Sequence, residues 1–225
     1  MSNVGMRIYQ NFQRPSKELM KKVGAFAVPN LADCMGRLFC AGPEIKPYNG
    51  VKLLGPAFTV RAPIGDNLMF HKAIDMAQPG DVLVVDGQGD VTRSLFGEIM
   101  ASYAASRGIA GVVVDGAIRD SGAMKEMGIA VYARSVSPMG PYKNGPGEIN
   151  VIVTCAGAVV KPGYIVVGDE DGVVFIDPAD AEEVIRKTQL LYDNEVRTFA
   201  AIKAGTFDRS WVDKTLKEKG CDFLD

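Results

Sequence analysis

Three residues in the middle of the chain have side chains that could hold an anion and a cation close together: Glu98, Arg119 and Asp120. Gly97, which precedes Glu98, is an acceptable N-cap residue, and the free N–H groups of a following helix bind carboxylates or phosphates. Arg119 could grip a carboxylate through two parallel hydrogen bonds. Asp120 could hold a hard cation through its oxygens. Simple helix capping at Gly97 and a surface ion pair between Arg119 and Asp120 are the alternatives.

A helix, a buried strand and a turn must position these residues. The apolar positions after Gly97 have the spacing of a helix that buries one face; they are Ile99, Met100, Tyr103 and Ala104. The β-branched run within residues 108–116 predicts a strand covered on both faces. Ligands of open α/β sheets collect outside the carboxyl ends of strands. We therefore expect Asp115, Arg119 and Asp120 at such an end.

Glu98, twenty intervening residues and the pair Arg119-Asp120 resemble the signature of the 4-hydroxy-4-methyl-2-oxoglutarate aldolases and of the related regulators of ribonuclease E activity A. The resemblance continues in residues 66–68, 78–86 and 137–141, and it covers roughly residues 25–205. It implies the swivelling β/β/α type of fold, an α/β layered domain with mixed sheets. It also implies a homotrimer or a dimer of trimers with active sites between subunits.

The resemblance implies a divalent-metal-dependent lyase of the class II type that acts on 2-oxo acids through a pyruvate enolate. The expected cofactor is Mg²⁺ or Mn²⁺, with Asp120 as its protein ligand. Arg119 is expected to contact the keto oxygen of the substrate, where negative charge grows as the carbon–carbon bond breaks. A cation and a guanidinium at that oxygen would stabilise the enolate.

The same resemblance places the substrate carboxylate at the start of the helix that follows Gly97. The expected partners are the backbone N–H groups of Gly97, Glu98, Ile99 and Met100. Glu98 is also expected to orient waters around the metal, one of which moves a proton. Glu195, on the last long helix, is expected to reach the site of an adjoining subunit.

One departure from the family pattern separates two reactions. The aldolase signature continues with two residues and then an acid after Asp120, whereas this chain has Ala123 at that position. Glu126, one helical turn later, could supply the missing carboxylate. Decarboxylation of oxaloacetate needs only the half of the site that stabilises the enolate. The sequence therefore favours decarboxylation over retro-aldol cleavage of 4-hydroxy-4-methyl-2-oxoglutarate.

Two other classes of function are compatible with the sequence. The first is a non-catalytic, protein-binding regulator of the ribonuclease E regulator type, which would act by docking to a partner. The second is a Schiff-base aldolase, in which Lys161 or Lys72 would have to be buried with a lowered pKa. The acidic, metal-competent turn at Asp120 argues against the first, and no local pattern marks either lysine for the second.

Composition excludes several kinds of partner. The chain has 225 residues, a formal net charge of −2 and a pI near 5.6, so it lacks the basic surface of a protein that binds nucleic acid or anionic membrane. No apolar run approaches the roughly 18 residues of a membrane span, and residues 1–13 lack the pattern of a signal peptide. We expect one cytoplasmic domain over residues 1–225, with an N-terminal helical segment, a C-terminal helical tail and a small-molecule 2-oxo acid as its ligand.

Some further expectations concern single residues. The only histidine, His71, excludes a multi-histidine metal site, and its place on the inner face of a helix after Asp66 favours a core role over a catalytic one. Gly55-Pro56 interrupts a strand over residues 51–62, which suggests a sheet edge or a bend. Asp177 is expected to cap a long helix that starts at Pro178 and meets a neighbouring subunit. Trp211 is expected to anchor the tail.

Overall fold

The computed structural model describes residues 3–224, so the ends of the predicted domain at residues 1 and 225 lie outside it. The strands are β1 (Met6–Ile8), β2 (Lys46–Pro47), β3 (Leu53–Arg61), β4 (Val82–Asp86), β5 (Ser94–Phe96), β6 (Gly111–Ile118), β7 (Ala130–Val136), β8 (Gly147–Ile149), β9 (Val153–Cys155), β10 (Ala158–Val160), β11 (Ile165–Asp169) and β12 (Gly172–Ile176). The helices are α1 (Lys17–Val23), α2 (Val28–Cys34), α3 (Leu68–Met76), α4 (Glu98–Ser106), α5 (Ser121–Met124), α6 (Ala181–Ala204) and α7 (Ser210–Glu218). A strand, β1, therefore precedes the predicted N-terminal helical segment.

A mixed sheet runs through the described residues in the order β1-β8-β3-β4-β6-β7-β2, and β11, β12 and β5 join it off this path. Strands β3, β4, β6 and β7 are parallel neighbours, connected by segments that contain α3, α4 and α5. Such crossover connections bring the carboxyl ends of the parallel strands to one edge of the sheet. The predicted α/β fold with mixed sheets is confirmed.

The apolar strands of this sheet are buried on both faces, as predicted. Leu83 and Val85 of β4 face a helical layer that includes Phe70 of α3. Val82 and Val84, on the opposite face, pack in a second core with residues of β9, β10 and β12. The alternation of side chains along one strand thus produces three layers, helices on one side and further strands on the other.

A third core lies outside the central sheet, where α1, α2 and α6 cover the β11–β12 hairpin. Its members include Val23, Leu31, Ile165, Ile176 and Val184. The long helix α6 begins at Ala181 with Asp180 as its N-cap, so the predicted start at Pro178 is wrong. Asp177 instead closes a turn before the helix, because its Oδ1 accepts a hydrogen bond from the backbone N–H of Ala179 at 3.0 Å.

The strand over residues 53–61 is not an edge strand, so the first of the two alternatives suggested by Gly55-Pro56 is wrong. It continues through Gly55 and Pro56, where it changes partner: β11 pairs as far as Pro56, and β4 pairs from Ala57 onward. Gly55 is required by packing, since a Cβ atom there would lie 2.1 Å from the carbonyl oxygen of Gly80.

The C-terminal helices carry apolar side chains that no other part of residues 3–224 covers. On α6 they are Leu190, Val196, Phe199 and Ile202, each at least half exposed. Trp211 of α7 is 60% exposed and does not anchor the tail as predicted. Among the helices of residues 3–224, none combines the length and the apolar character needed to cross a membrane.

Candidate active site

A cavity of about 180 Å³ lies where β5 and β6 end, between α3, α4 and the loop over residues 137–146. Four of the predicted site residues line it: Gly97, Ile99, Met100 and Arg119. Three lining side chains that the sequence did not assign to the site add polar or basic groups: Asn67, His71 and Lys143. The cavity thus lies at the carboxyl edge of the parallel strands, where the sequence analysis expected a ligand site.

The start of α4 forms one wall of this cavity. Gly97 is the N-cap, and the backbone N–H of Glu98 donates to Asp120 Oδ2 at 3.0 Å. A Cβ atom on residue 97 would lie 2.8 Å from Asp120 Oδ2 and 3.0 Å from Arg119 Nε, so a larger residue there would displace both side chains. One of the amides expected to bind the substrate is therefore occupied by Asp120. The N–H groups of Ile99 and Met100, in the same first turn, have no carbonyl partner within their own helix.

Arg119 lies beside this helix start at the end of β6. Its backbone N–H donates to the carbonyl of Phe96 at 2.9 Å, which ties the two strand ends together. The distance from Arg119 Nε to Asp120 Oδ2 is 3.6 Å, too long for a hydrogen bond, and both side chains are nearly half exposed. No residue of the described chain accepts a hydrogen bond from this guanidinium. Its planar donor set is thus open to a ligand.

Asp120 has a left-handed backbone conformation, with φ 57° and ψ 35°, immediately before α5. This region costs an L-residue about 1–2 kcal/mol, and aspartate and asparagine are among the few side chains that tolerate it. The conformation turns the chain so that the Asp120 carboxylate reaches the start of α4. Such strained positions cluster at functional sites, where the surrounding structure holds them in place.

The loop over residues 137–146 is held over the cavity by two side chains. Asp66 Oδ2 accepts hydrogen bonds from the backbone N–H groups of Asn144 at 2.6 Å and of Gly145 at 3.0 Å. Arg93 donates to the carbonyl of Gly140 at 2.8 Å, and its guanidinium lies 4.2 Å from the centre of the Tyr142 ring. These contacts fix the backbone on both sides of Lys143. Lys143 is thereby held among the residues that line the cavity.

Asn67 is the N-cap of α3 and His71 lies one turn into that helix, so the two side chains lie on the same side of it. The imidazole is half-buried, and burial and the nearby Lys143 lower the pKa of His71 from its ordinary 6.5, whereas Asp75 acts in the opposite direction. No described residue forms a hydrogen bond with the ring. His71 therefore belongs to the cavity lining rather than to the core, and its i, i+4 spacing from Asn67 was the signal that sequence reasoning missed.

Several acidic residues that the sequence analysis considered are not in the cavity lining. The side chain of Glu98 is exposed, as is that of Glu126. Glu195 accepts a hydrogen bond from Asn30 Nδ2 of α2 at 2.7 Å. Lys161 and Lys72 are both exposed, which argues against the buried amine that a Schiff-base aldolase needs.

Asp115 also has a structural role, although the strand pattern placed it near the site. Its Oδ1 lies 2.6 Å from Arg134 Nη2, and its Oδ2 accepts a hydrogen bond from the backbone N–H of Ala156 at 2.6 Å. Arg134 in turn pairs with Glu44 at 2.8 Å. This network of ion pairs and a hydrogen bond joins the central sheet to the layer that contains β9 and β10.

The donors at Asp120 fit a cation that keeps most of its water. Within residues 3–224, no group of three or more His, Cys, Asp or Glu side chains could hold a metal ion. Mg²⁺ is commonly bound by one or two carboxylates together with several waters. Asp120 is nearly half exposed, and only its Oδ2 is engaged by the backbone. It can therefore supply one oxygen to such an ion.

Fold and site together define a layered α/β protein with a small cavity between a helix N-terminus and an arginine. Residues 28–175 match the model of the RraA-like family, described as Aldolase/RraA, and the chain belongs to this family. The resemblance inferred from the sequence is thus confirmed.

Individual relatives carry two kinds of name. Over 188 residues the chain is 38% identical to a Halalkalibacterium halodurans protein provisionally named 4-hydroxy-4-methyl-2-oxoglutarate aldolase, and the match covers 83% of this chain and 90% of that one. The structure of the RNA-processing inhibitor RraA from Thermus thermophilus matches with a TM-score of 0.62 and 32% identity over 67% of this chain and 92% of that one. Streptomyces coelicolor RraAS2, described as an unusual member of the RNase ES inhibitor RraA family, matches with a TM-score of 0.72 and 25% identity over 84% and 100%.

Proposed function

We propose that this protein is a lyase that cleaves 2-oxo acids and passes through the enolate of pyruvate. The reactions of this class are decarboxylation of oxaloacetate and retro-aldol cleavage of 4-hydroxy-4-methyl-2-oxoglutarate or similar acids. One observation carries the proposal: the guanidinium of Arg119, which has no hydrogen-bond acceptor in the described chain, lines the same small cavity as the start of α4. The aldolase name of a relative that matches 83% of the chain supports the same class.

In this mechanism the start of α4 binds the carboxylate of the substrate. The N–H groups of Ile99 and Met100 and the positive end of the helix dipole favour an anion there. Gly97 contributes by having no side chain, because a methyl group at that position would press on Arg119 and Asp120. The small volume of the cavity suits a three-carbon unit with its carboxylate on the helix.

Arg119 is proposed to stabilise the developing enolate. Its guanidinium donates to the keto oxygen, where charge grows as the carbon–carbon bond breaks. A donor fixed in place before the reaction stabilises that charge more than it stabilises the neutral ketone. Removal of one such donor typically costs about 10²–10³ in rate.

Asp120 is proposed to hold a divalent cation, Mg²⁺ or Mn²⁺, which when bound polarises the keto group as a Lewis acid. One oxygen of the Asp120 carboxylate accepts a hydrogen bond from the Glu98 backbone N–H, and this contact orients the carboxylate. The exposed carboxylate of Glu98 is proposed to order water near the same position. A homotrimer or a dimer of trimers is proposed as the assembly, with the exposed apolar face of α6 as part of the contact.

A non-catalytic regulator of ribonuclease E type is the second candidate, favoured by the likeness to the Thermus RNA-processing inhibitor. The two candidates differ in what they require of the cavity. A lyase needs the Arg119 guanidinium, whereas a docking protein should tolerate Arg119→Lys as long as its surface is intact. Both properties can be measured on the same two purified proteins.

The deciding experiment is pyruvate release from a panel of 2-oxo acids, with Mg²⁺, with Mn²⁺ and with excess chelator. We expect metal-dependent release from at least one of the two named substrates, and much less with Arg119→Lys. If neither protein releases pyruvate but both slow RNA cleavage by a ribonuclease E-type nuclease equally, the regulator is the correct assignment.

A further inference from the structure

The polar residues on one wall of the cavity have no role in the enolate mechanism. This wall is the face of α3 that carries Asn67 and His71, and both side chains line the cavity. Neither residue is needed to bind a carboxylate or to stabilise an enolate. Their chemistry therefore indicates which group the rest of the substrate carries.

Asn67 is 98% buried, and its orientation is fixed by a hydrogen bond from its Nδ2 to the carbonyl oxygen of Leu95 at 2.9 Å. The remaining polar atom, Oδ1, is buried and has no hydrogen-bond partner within the described chain. Buried acceptors without a donor are uncommon, and each one calls for an explanation such as a ligand. The partner that Oδ1 lacks must be a hydrogen-bond donor.

The pyruvate part of the substrate cannot supply that donor. Its carboxylate and keto oxygens only accept hydrogen bonds, and oxaloacetate adds a second carboxylate, which is also an acceptor. A hydroxyl group, by contrast, donates one hydrogen bond and can accept others. Asn67 Oδ1 thus favours a substrate with a hydroxyl group next to the bond that is cleaved.

His71 lies one turn further along the same helix face and offers a proton acceptor. The charges that act on its half-buried ring are those of Lys143 from the loop over residues 137–146 and of Asp75 from its own helix. Arg119 lines the same cavity. Burial and the positive charge of Lys143 disfavour the protonated ring, so that the neutral form prevails at pH 7. A neutral imidazole beside a hydroxyl is the usual arrangement for a general base.

We propose that Asn67 and His71 bind the hydroxyl group of a 4-hydroxy-2-oxo acid and that His71 accepts its proton during retro-aldol cleavage. This inference rests on the proposed lyase function and assigns two residues to its retro-aldol reaction. The O–H proton moves to the ring, the C4–O bond becomes a carbonyl, and the C3–C4 bond breaks. Its electron pair forms the enolate, whose oxygen faces Arg119. The proton on His71 then returns to C3 and completes pyruvate.

This inference opposes the expectation drawn from Ala123, which favoured oxaloacetate. The two substrates differ in the group that His71 and Asn67 would contact, because oxaloacetate has no hydroxyl to deprotonate. The ratio of the two activities is therefore the informative quantity. A general loss of stability or of metal affinity would lower both activities together and leave the ratio unchanged.

The test compares the natural protein with His71→Gln and Asn67→Ser, using 4-hydroxy-4-methyl-2-oxoglutarate and oxaloacetate with the same metal. For His71→Gln we expect kcat for aldol cleavage to fall at least about 100-fold, the usual contribution of a general base. The loss for the aldol substrate should exceed the loss for oxaloacetate at least about tenfold. Asn67→Ser should raise the KM of the hydroxy acid more than that of oxaloacetate.

The pH profile gives a second readout that a merely structural role would not produce. In the natural protein kcat/KM for aldol cleavage should fall as the pH drops through the pKa of His71, and this acidic limb should be absent in His71→Gln. Lys72→Gln, an exposed neighbour on the same helix, is the matched control and should leave the ratio of activities unchanged.

Three results would overturn the inference. Equal losses on the two substrates in His71→Gln would show that His71 is not a base for the hydroxyl. Turnover of oxaloacetate alone by the natural protein would show that no hydroxy acid is cleaved. Inactivity of the natural protein on both substrates would overturn the proposed lyase function and this inference with it.

Discussion

The carboxylate of Asp120 accepts a hydrogen bond from the backbone N–H of Glu98 at 3.0 Å. The residue proposed to hold the cation therefore also caps the helix proposed to hold the substrate carboxylate. In the proposed mechanism, one side chain thus joins metal binding to substrate binding. A substitution of Asp120 must separate these two roles to be informative.

Asp120→Asn makes that separation. Asparagine tolerates the left-handed backbone, and its amide oxygen can still accept from the Glu98 N–H, whereas it is a poor ligand for a divalent cation. We expect a Tm close to that of the natural protein and a loss of turnover of at least about 100-fold, comparable with other losses of charge stabilisation. Asp120→Ala, the comparison, should lower the free energy of unfolding by about 1 kcal/mol through loss of the cap. Full activity of Asp120→Asn would contradict the role as metal ligand.

Arg119→Lys tests the planar guanidinium. A lysine keeps the charge but cannot reproduce the fixed donor geometry, so kcat should fall at least about tenfold, equivalent to roughly 1.4 kcal/mol in the barrier. The matched control is Arg186→Lys on the exposed face of α6, where the arginine pairs only with Glu183 at 3.8 Å. An unchanged kcat in Arg119→Lys would show that Arg119 only forms a surface ion pair with Asp120.

Gly97→Ala tests the close approach of the helix start to the site. The added methyl group would lie 2.8 Å from Asp120 Oδ2 and 3.0 Å from Arg119 Nε, so both side chains must shift. We expect kcat/KM to fall at least about tenfold, since small misplacements of reacting groups cost rate steeply. Gly122→Ala on α5, where a Cβ atom would have no heavy atom within 4 Å, should retain full activity. Equal activity of the two variants would show that the approach is not required.

The pKa of His71 can be measured without ambiguity, because the chain has a single histidine. In an NMR titration of the imidazole protons we expect a pKa below the ordinary 6.5. Lys143→Gln removes a positive charge that disfavours protonation, so it should raise this pKa. Asp75→Asn removes a negative charge and should lower it. A pKa that neither variant changes would place both charges too far from the ring to matter.

The central strands and the position of the cavity could be predicted from the sequence, because long β-branched runs have few alternatives to a doubly covered strand. The buried face of α4 could be predicted only in part: Met100 and Ala104 are buried as expected. Ile99 is 83% exposed and Tyr103 is 45% exposed, whereas Ala101 is fully buried. Alanine is too small to mark a face by hydrophobicity. Tertiary packing therefore shifted the buried stripe of the helix toward Ala101, away from Ile99 and Tyr103.

Contacts between residues from distant parts of the chain could not be predicted from the sequence either. The role of Asp115 depends on Arg134, on the neighbouring strand, and on Ala156, in a separate hairpin. The exposed tryptophan of α7 could not be foreseen either, since an isolated Trp211 in a polar segment usually marks a packed position. Sequence periodicity describes one element at a time, and these contacts join several elements.

The most direct test of the proposed function is the exchange of the C3 protons of pyruvate with deuterated water, followed by NMR. Exchange requires only the enolate and is independent of the distal part of the substrate. We predict that the natural protein catalyses exchange with Mg²⁺ or Mn²⁺, and that excess chelator, Asp120→Asn and Arg119→Lys each reduce the rate at least about tenfold. Exchange that continues at full rate in excess chelator, or that is absent from the metal-loaded natural protein, would contradict the account.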